Sequence, residues 1–172
     1  MNTERKCDGC TLCCKTHGIY ELTKTAGRWC VYCRVGEGCA VYDTRPHSCQ
    51  GFKCAWLAGF GLPEYRPDKT GIVPEFKTVP GLGLVLFLWA ETDAALDSSF
   101  VKRQTALNLK RGTPVMHIPA ESNPKFYMPH GKQGGKYRFR GLGKENVEVI
   151  PFKKREVLAS ASNTNADRGF NI

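Results

Sequence analysis

Cysteine is absent from the last 118 residues of this 172-residue chain, although nine cysteines lie between Cys7 and Cys54. The chain also lacks an apolar run near the ~20 residues that a membrane-spanning helix needs. Its longest run, Leu82 to Ala90, has the length of a strand. The polar start MNTERKCDGC has no apolar segment of the kind found in export signals. We therefore expect a soluble cytoplasmic protein, not bound to a membrane, whose cysteines meet a reducing environment.

Familiar catalytic motifs are missing as well. The sequence has no Gly-rich phosphate loop, no Gly-x-Ser-x-Gly and no His-Glu-x-x-His. A catalytic zinc keeps an open coordination position beside a general base, and a zinc saturated by four thiolates has neither. The titratable side chains nearest the cysteines are His17, His47 and Asp43. We expect no catalytic residue, and an enzyme that uses the cysteine cluster as a cofactor is the least favoured hypothesis.

The cysteines are spaced like metal ligands. Their pattern is Cys7-x2-Cys10-x2-Cys13-Cys14, followed by Cys30-x2-Cys33-x5-Cys39-x9-Cys49-x4-Cys54. Two residues between cysteines allow a tight turn that points both sulfurs at one cation. The odd count and the adjacent Cys13 and Cys14 argue against a simple disulfide framework. Because thiolates at this density repel one another unless a cation neutralises them, all nine cysteines are candidate metal ligands.

Sulfur ligands by themselves leave zinc and an iron–sulfur cluster both open. Two tetrahedral zinc sites would use eight thiolates and leave one spare. The first site would join Cys7 and Cys10 to Cys30 and Cys33. The second site would join Cys13 or Cys14 to Cys39, Cys49 and Cys54. The opening Cys-x2-Cys-x2-Cys resembles the ligand run of bacterial ferredoxins, although the usual cysteine followed by proline is absent. We favour one or two structural zinc ions and keep a redox-active iron–sulfur cluster as the alternative.

The segments CDGCTLCC and GCAVYDTRPHSCQGFKC resemble the CxxCxxCC family, also called the YkgJ family, of zinc- or iron-chelating cysteine-cluster proteins. The resemblance covers about residues 7–57 and implies metal chelation without implying a defined reaction. Where this family often has Arg, the chain has Gln50. The matching residues are Cys7, Cys10, Cys13, Cys14, Cys39, Tyr42, Arg45, Pro46, Cys49, Phe52 and Cys54.

The rest of the chain predicts an α+β protein. We expect an irregular, metal-nucleated cysteine module over residues 1–60, a β-rich extension with one helix over 61–157, and a flexible tail over 158–172. Strands are predicted near 71–79, 82–89 and 115–118, with a second hairpin formed by 137–140 and 147–152. Asp97 or Ser98 is expected to cap a helix that runs to Arg111 and ends at Gly112.

Basic charge is concentrated in the last third of the chain. The formal net charge is +9, and residues 125–172 carry 10 Lys and Arg against 4 Asp and Glu. Such a segment permits contact with nucleic acid, although a solvated basic face is the more common meaning of this pattern. We therefore expect a metal-binding protein whose cysteine module supports a surface for a protein partner, within a larger assembly, with nucleic acid as a secondary candidate.

Overall fold

Long alternating apolar segments form the centre of the fold, and short turns form the cysteine-rich part. The computed structural model describes residues 5–130 and 148–151. Its strands are β1 (Cys33–Arg34), β2 (Gly38–Cys39), β3 (Ile72–Val79), β4 (Gly83–Ala90), β5 (Val115–Ile118), β6 (Lys125–Met128) and β7 (Glu148–Pro151). Its α-helices are α1 (Cys13–Thr16), α2 (His47–Gln50), α3 (Pro67–Thr70) and α4 (Ser99–Lys110), and 3-10 turns cover Tyr20–Leu22, Pro63–Tyr65 and Asp93–Asp97.

A mixed five-stranded sheet has the order β3-β4-β5-β6-β7. Strands β3 and β4 form an antiparallel hairpin in which Ile72 lies opposite Ala90. The chain then passes through α4 and returns as β5, which is parallel to β4. Strand β6 is antiparallel to β5, and β7 is parallel to β6. A helical crossover is the usual way to join two parallel strands, so α4 has a defined place on the sheet.

One face of the sheet is covered by α4. Phe100, Val101 and Leu109 of this helix belong to one buried cluster with side chains of β3, β4 and β5. Residues that alternate along β4, such as Leu86 and Leu88, point to this face. The Ser98 hydroxyl accepts a hydrogen bond from the Val101 backbone N–H at 3.3 Å, which caps the start of the helix.

The opposite face of the sheet is covered by the cysteine-rich segment. Leu12, which lies between Cys10 and Cys13, is 3% exposed and belongs to the buried cluster formed by this face. The sheet contributes large side chains from the other half of the alternation, among them Phe87 and Trp89. Cys10, Cys13 and Cys54 pack against the same cluster. The cysteine segment and the sheet therefore share a hydrophobic core.

The α+β class predicted from the sequence is confirmed, and the nine cysteines lie in the N-terminal part. The first hairpin, the Ser98-capped helix and the strand at 115–118 match their predictions. Strand β6 was not predicted. The 137–140 half of the second predicted hairpin, and the expected tail over 158–172, lie outside the described residues. Strand β7 falls at the other half, and in the described part it pairs with β6.

Among the described residues, none of the helices has the length and apolar character required to cross a bilayer. The longest of them, α4, has 12 residues. A membrane-spanning helix needs about 20 predominantly apolar residues.

Candidate metal centre

The first cysteine turn is built by two residues with positive φ. Between Cys7 and Cys10, Asp8 has φ 36° and Gly9 has φ 80°, and the Cys10 N–H donates to the Cys7 carbonyl at 2.7 Å. Glycine adopts this left-handed conformation without a steric penalty. A Cβ on Gly9 would also lie 2.4 Å from the Gly36 carbonyl oxygen. The turn is therefore tight and closely packed against a second turn.

The second cysteine turn has the same hydrogen bond. The Cys33 N–H donates to the Cys30 carbonyl at 3.0 Å, and the Cys30 N–H donates to the Cys14 carbonyl at 3.1 Å. Strands β1 and β2 then place Cys33 opposite Cys39. The spacing of two residues thus gives the expected turn geometry at this position, and backbone pairing brings the thiols of distant segments together.

Of the last two cysteines, Cys49 lies in a short helix and Cys54 follows it. Cys49 lies in α2, which begins after Pro46, and the Ser48 N–H and hydroxyl donate to the Glu21 carboxylate at 2.9 and 2.6 Å. These two bonds hold α2 against the turn at Tyr20–Leu22. The Arg45 guanidinium covers the Tyr42 ring at 4.0 Å and donates to the Tyr42 carbonyl, so its contacts are local and structural.

Six thiols form one group around Cys14. The Cys14 thiol hydrogen-bonds with Cys13, and this bond together with burial raises its pKa far above the usual range. Cys14 also hydrogen-bonds with Cys33, whose pKa is raised to about 11 by burial and by the charge of Cys14. Burial raises the pKa of Cys49, and the nearby thiols add to the effect. The members of this six-thiol group are Cys13, Cys14, Cys30, Cys33, Cys39 and Cys49.

The other three thiols form a three-thiol group, Cys7, Cys10 and Cys54, and the charge of Cys14 also acts on Cys7. Burial raises the pKa of each of them, and the charges of Cys7 and Cys10 act on Cys54. Backbone N–H groups hydrogen-bond to two of these sulfurs: Leu57 donates to Cys54 Sγ at 3.4 Å, and Cys10 accepts from Leu12 and Asp68. Such bonds stabilise thiolates in metal sites. The charges that act on Cys54 come from Cys7 and Cys10. The pairing of Cys54 with Cys39 and Cys49 in one zinc site stays a prediction.

The donor set of both groups suits a soft cation, although the side chains do not form a closed cage. All nine cysteines are free thiols. Among the described residues, no three His, Cys, Asp or Glu side chains are placed so that together they could hold a metal ion. An ion would have to draw the thiolates inward by side-chain rotation. In the three-thiol group the ion would be held by Cys7, Cys10 and Cys54. In the six-thiol group its ligands would come from the thiols around Cys14.

A lysine lies beside the six-thiol group. The Lys24 ammonium donates to the carbonyls of Lys15, His17 and Thr25. Burial lowers the pKa of Lys24, while the nearby thiols, with Cys30 first, act in the opposite direction. Three carbonyls thus fix a positive charge where negative thiolates would gather. Nothing in the sequence points to this residue, because a lone lysine among loops carries no distinctive pattern.

His17 belongs to the core and does not point into an open site. Its ring packs against Phe52 and Trp89, with centroids 4.4 Å apart in both cases, and Nδ1 lies 2.8 Å from the Thr16 hydroxyl. Burial lowers the pKa of His17 and favours its neutral form. Nε2 lies 3.4 Å from Glu75 without forming a hydrogen bond. The structure therefore gives His17 a packing role.

Glu75 is a buried carboxylate on the sheet face that meets the cysteine segment. Burial opposes its ionisation, but the contacts from His17 and Lys77 outweigh this and lower its pKa. Lys77 Nζ lies 3.0 Å from its carboxylate, and the Trp89 indole N–H donates to it at 2.9 Å. The other two titratable candidates, His47 and Asp43, are exposed.

Comparison with known proteins adds no further assignment. The chain matches no protein-family model, no curated protein and no solved structure. The resemblance of residues 7–57 to the CxxCxxCC family therefore stays a prediction based on the motif. The function of the chain is therefore argued from the chemistry of its thiol groups.

Proposed function

We propose that this protein binds metal through its cysteine thiolates, and that the metal has a structural role. The observation that carries the proposal is that nine free thiols from distant turns lie near enough for the charges of one another to act on their pKa values. The loops that carry them contribute few buried apolar side chains, of which Leu12 and Ile19, each 3% exposed, are the most deeply buried. A metal that crosslinks such loops adds its binding free energy to folding. Zinc, as one or two ions, is the metal that we favour.

The ordered cysteine segment would then present a surface for a protein partner. Most of the large exposed apolar side chains of the described residues lie between Tyr20 and Tyr42, within this segment. Tyr20 is 92% exposed, Val31 84% and Val35 62%. Aromatic and aliphatic side chains held outward by a rigid framework are typical of interaction sites. This concentration supports a partner-binding role, which could operate within a larger assembly in the cytoplasm.

An iron–sulfur protein that transfers electrons is the second candidate. The observation in its favour is the all-thiol donor set around Cys14, since four cysteine thiolates also hold 2Fe–2S and 4Fe–4S clusters. Catalysis by such a centre is the weakest candidate. His17 is packed in the core, and His47 and Asp43 are exposed.

Elemental analysis and an absorption spectrum of anaerobically purified protein test the proposal. We expect one or two zinc ions per chain and no visible absorption. Cys14→Ser should lose metal, because it removes the thiol with neighbours in α1 and in the second cysteine turn. Thr44→Ser is the matched control, since Thr44 is exposed and the change leaves all nine thiols in place.

The structural role is tested by hydrogen exchange before and after chelation. Removal of the metal should reduce the protection of backbone amides against hydrogen exchange more in residues 5–54 than in the central strands β4 and β5. A preparation that contains iron, and whose visible absorption bands bleach on reduction, would support the iron–sulfur alternative instead of zinc. Protein that retains no metal, or that keeps full protection in residues 5–54 after chelation, contradicts the structural proposal.

The partner surface has its own test. Val31→Asp places a charge among the exposed apolar residues and should weaken the capture of a defined partner without changing the metal content. Leu84→Asp is the control, because Leu84 is also exposed but lies at the start of β4, outside the cysteine segment. Equal loss of capture with both variants would argue against a surface located on the cysteine segment.

A further inference from the structure

Cys33 and Cys39 lie directly opposite each other across the short hairpin of β1 and β2. The Cys33 N–H donates to the Cys30 carbonyl at 3.0 Å, away from Cys39, and the Ala40 N–H donates to the Tyr32 carbonyl at 2.9 Å. In an antiparallel ladder this arrangement marks two facing residues that exchange no backbone hydrogen bond with each other. The side chains of such a pair share one face and approach more closely than those of a hydrogen-bonded pair.

The backbone of this hairpin suits a disulfide. Facing residues of this kind have Cα atoms about 4.5 Å apart, and disulfides join Cα atoms about 4.4–6.8 Å apart. The Glu37 N–H donates to the Arg34 carbonyl at 2.9 Å and closes the turn, and the Gly36 N–H donates to the Thr11 hydroxyl at 3.2 Å. The hairpin is therefore fixed before any covalent bond forms, and the two sulfurs can meet by side-chain rotation.

A small oxidant can reach one of the two thiols from solvent. Cys33 and Cys39 are both half-buried, and Cys39 lines an open cleft of about 730 Å³. Cys30, the other cysteine close to Cys33 along the chain, is only 8% exposed. Oxidation is therefore expected to begin at Cys39, and the thiol that faces it across the hairpin is the nearest on the backbone register.

We propose that Cys33 and Cys39 are a redox modification site, at which a peroxide joins the two thiols in a reversible cross-strand disulfide. The Cys39 thiol attacks the O–O bond, takes one oxygen as a sulfenic acid and releases water. The Cys33 thiol then attacks the Cys39 sulfur, and the sulfenic hydroxyl leaves as a second water. Two electrons pass from the two thiols to the peroxide, and a small dithiol reverses the reaction by returning two electrons and two protons.

The disulfide has a consequence for metal binding. Disulfide sulfurs are no longer thiolates, so both residues would cease to be candidate ligands of the six-thiol group. This consequence rests on the proposed metal-binding function, whereas the bond itself forms without any metal. Disulfides of proteins in a reducing compartment are usually transient and redox-sensing, which fits an exposed hairpin better than a permanent crosslink.

Peptide mapping after oxidation provides the test. The full-length protein is purified without oxygen, treated with about one equivalent of hydrogen peroxide and alkylated. Trypsin and chymotrypsin together cut after Tyr32, Arg34 and Tyr42, so Cys33 and Cys39 fall in the separate peptides 33–34 and 35–42, each without a second cysteine. We expect these two peptides to be joined, at least about fivefold more often than any other pair of cysteine peptides. Dithiothreitol should separate them.

Two variants and one change of solvent locate the effect. Cys39→Ser should leave the peptide 33–34 unpaired. Cys49→Ser is the matched control and should keep the disulfide, because Cys49 lies in α2 and does not face Cys33. Oxidation in denaturing guanidinium chloride should reduce the preference to less than about twofold over other short-range pairs, because the strand register is lost. Circular dichroism checks that each variant is folded.

Four results overturn the redox site. Peroxide may join Cys33 to Cys14, whose thiol also hydrogen-bonds with it, or to Cys30. It may join Cys39 to Cys7, which lines the same cleft. The two other results are oxidation without any disulfide between the two peptides, and a preference that survives denaturation. The metal content of the untreated protein decides the proposed function separately, since the disulfide can form in a chain that holds no metal.

Discussion

At the residue scale, Gly9 has no room for a methyl group. We expect Gly9→Ala to destabilise the protein more than Gly36→Ala, by at least about 1 kcal/mol. Both glycines have similar positive φ values, 80° and 82°, so the backbone penalty is shared. Only at Gly9 would the new Cβ meet a carbonyl oxygen, at 2.4 Å, while Gly36 has open space. Urea unfolding of the two variants measures the difference, and equal losses would contradict the close packing of the first cysteine turn.

A buried histidine makes stability depend on pH. His117 of β5 is 7% exposed, and Nε2 lies 2.8 Å from the Thr105 hydroxyl of α4. Burial lowers its pKa to about 4, and the charge of Lys125 acts in the same direction against a small opposing effect of Asp97. The unfolded chain takes up a proton near pH 6.5, whereas the folded protein does so only near pH 4. Stability should therefore fall as the pH drops through this window.

The size of this effect can be measured with His117→Gln, which keeps a hydrogen-bonding group. The wild type should lose up to about 3 kcal/mol between pH 6.5 and pH 4 that the variant does not lose. His130→Gln serves as the control, because His130 is exposed and should leave the wild-type slope intact. Urea midpoints across this pH range give the comparison. Parallel slopes for the wild type and His117→Gln would show that His117 is not the source.

At the scale of elements, α4 begins at a single capping hydroxyl. Ser98→Ala removes the acceptor for the Val101 N–H and should cost about 1 kcal/mol of stability. Ser99→Ala is the neighbouring control, since Ser99 is exposed within the first turn and alanine has the higher helix propensity. Thermal unfolding of both variants distinguishes them. A destabilisation by Ser99→Ala as large as that by Ser98→Ala would contradict the capping role.

The regular elements were predictable where local pattern and packing agree. The apolar run from Leu82 identified β4, the strand near 71–79 was predicted beside it, and Ser98 with Gly112 bracketed α4. Strand β6 was not predicted from the sequence because Lys125–Met128 is short and lacks β-branched residues. Its place is set by pairing with β5, a tertiary contact that the local sequence does not encode.

The turn geometry of the cysteines was predictable from the sequence, and their grouping was not. The spacing of two residues identifies the tight turns at Cys7–Cys10 and Cys30–Cys33. Which turn meets which depends on where the loops pack against the sheet. Arg5, just before Cys7, binds the carbonyls of Trp56 and Phe60, just after Cys54, and this contact spans more than 50 residues. Spacing cannot fix such connectivity.

At the scale of the whole molecule, Leu12 joins the cysteine segment to the sheet. Leu12→Ala should cost about 2–5 kcal/mol, because the side chain is 3% exposed in the cluster shared with β3–β6. The loss should appear in one cooperative unfolding transition that includes the cysteine segment. Leu107→Ala is the control, because Leu107 is 37% exposed on α4. Calorimetry provides the measurement, and two separate transitions in the wild type would contradict a common core.

The position of the thiols at the start of the chain affects how the protein is made. Leu12 is buried by strands that extend to Met128, so its packing partners leave the ribosome long after Cys7 to Cys54 have emerged. At 5–20 residues per second, this interval is on the order of ten seconds. During translation the nascent thiols are therefore accessible to metal donors and to oxidants before the sheet covers them, and metal supply during synthesis should influence the yield of native protein.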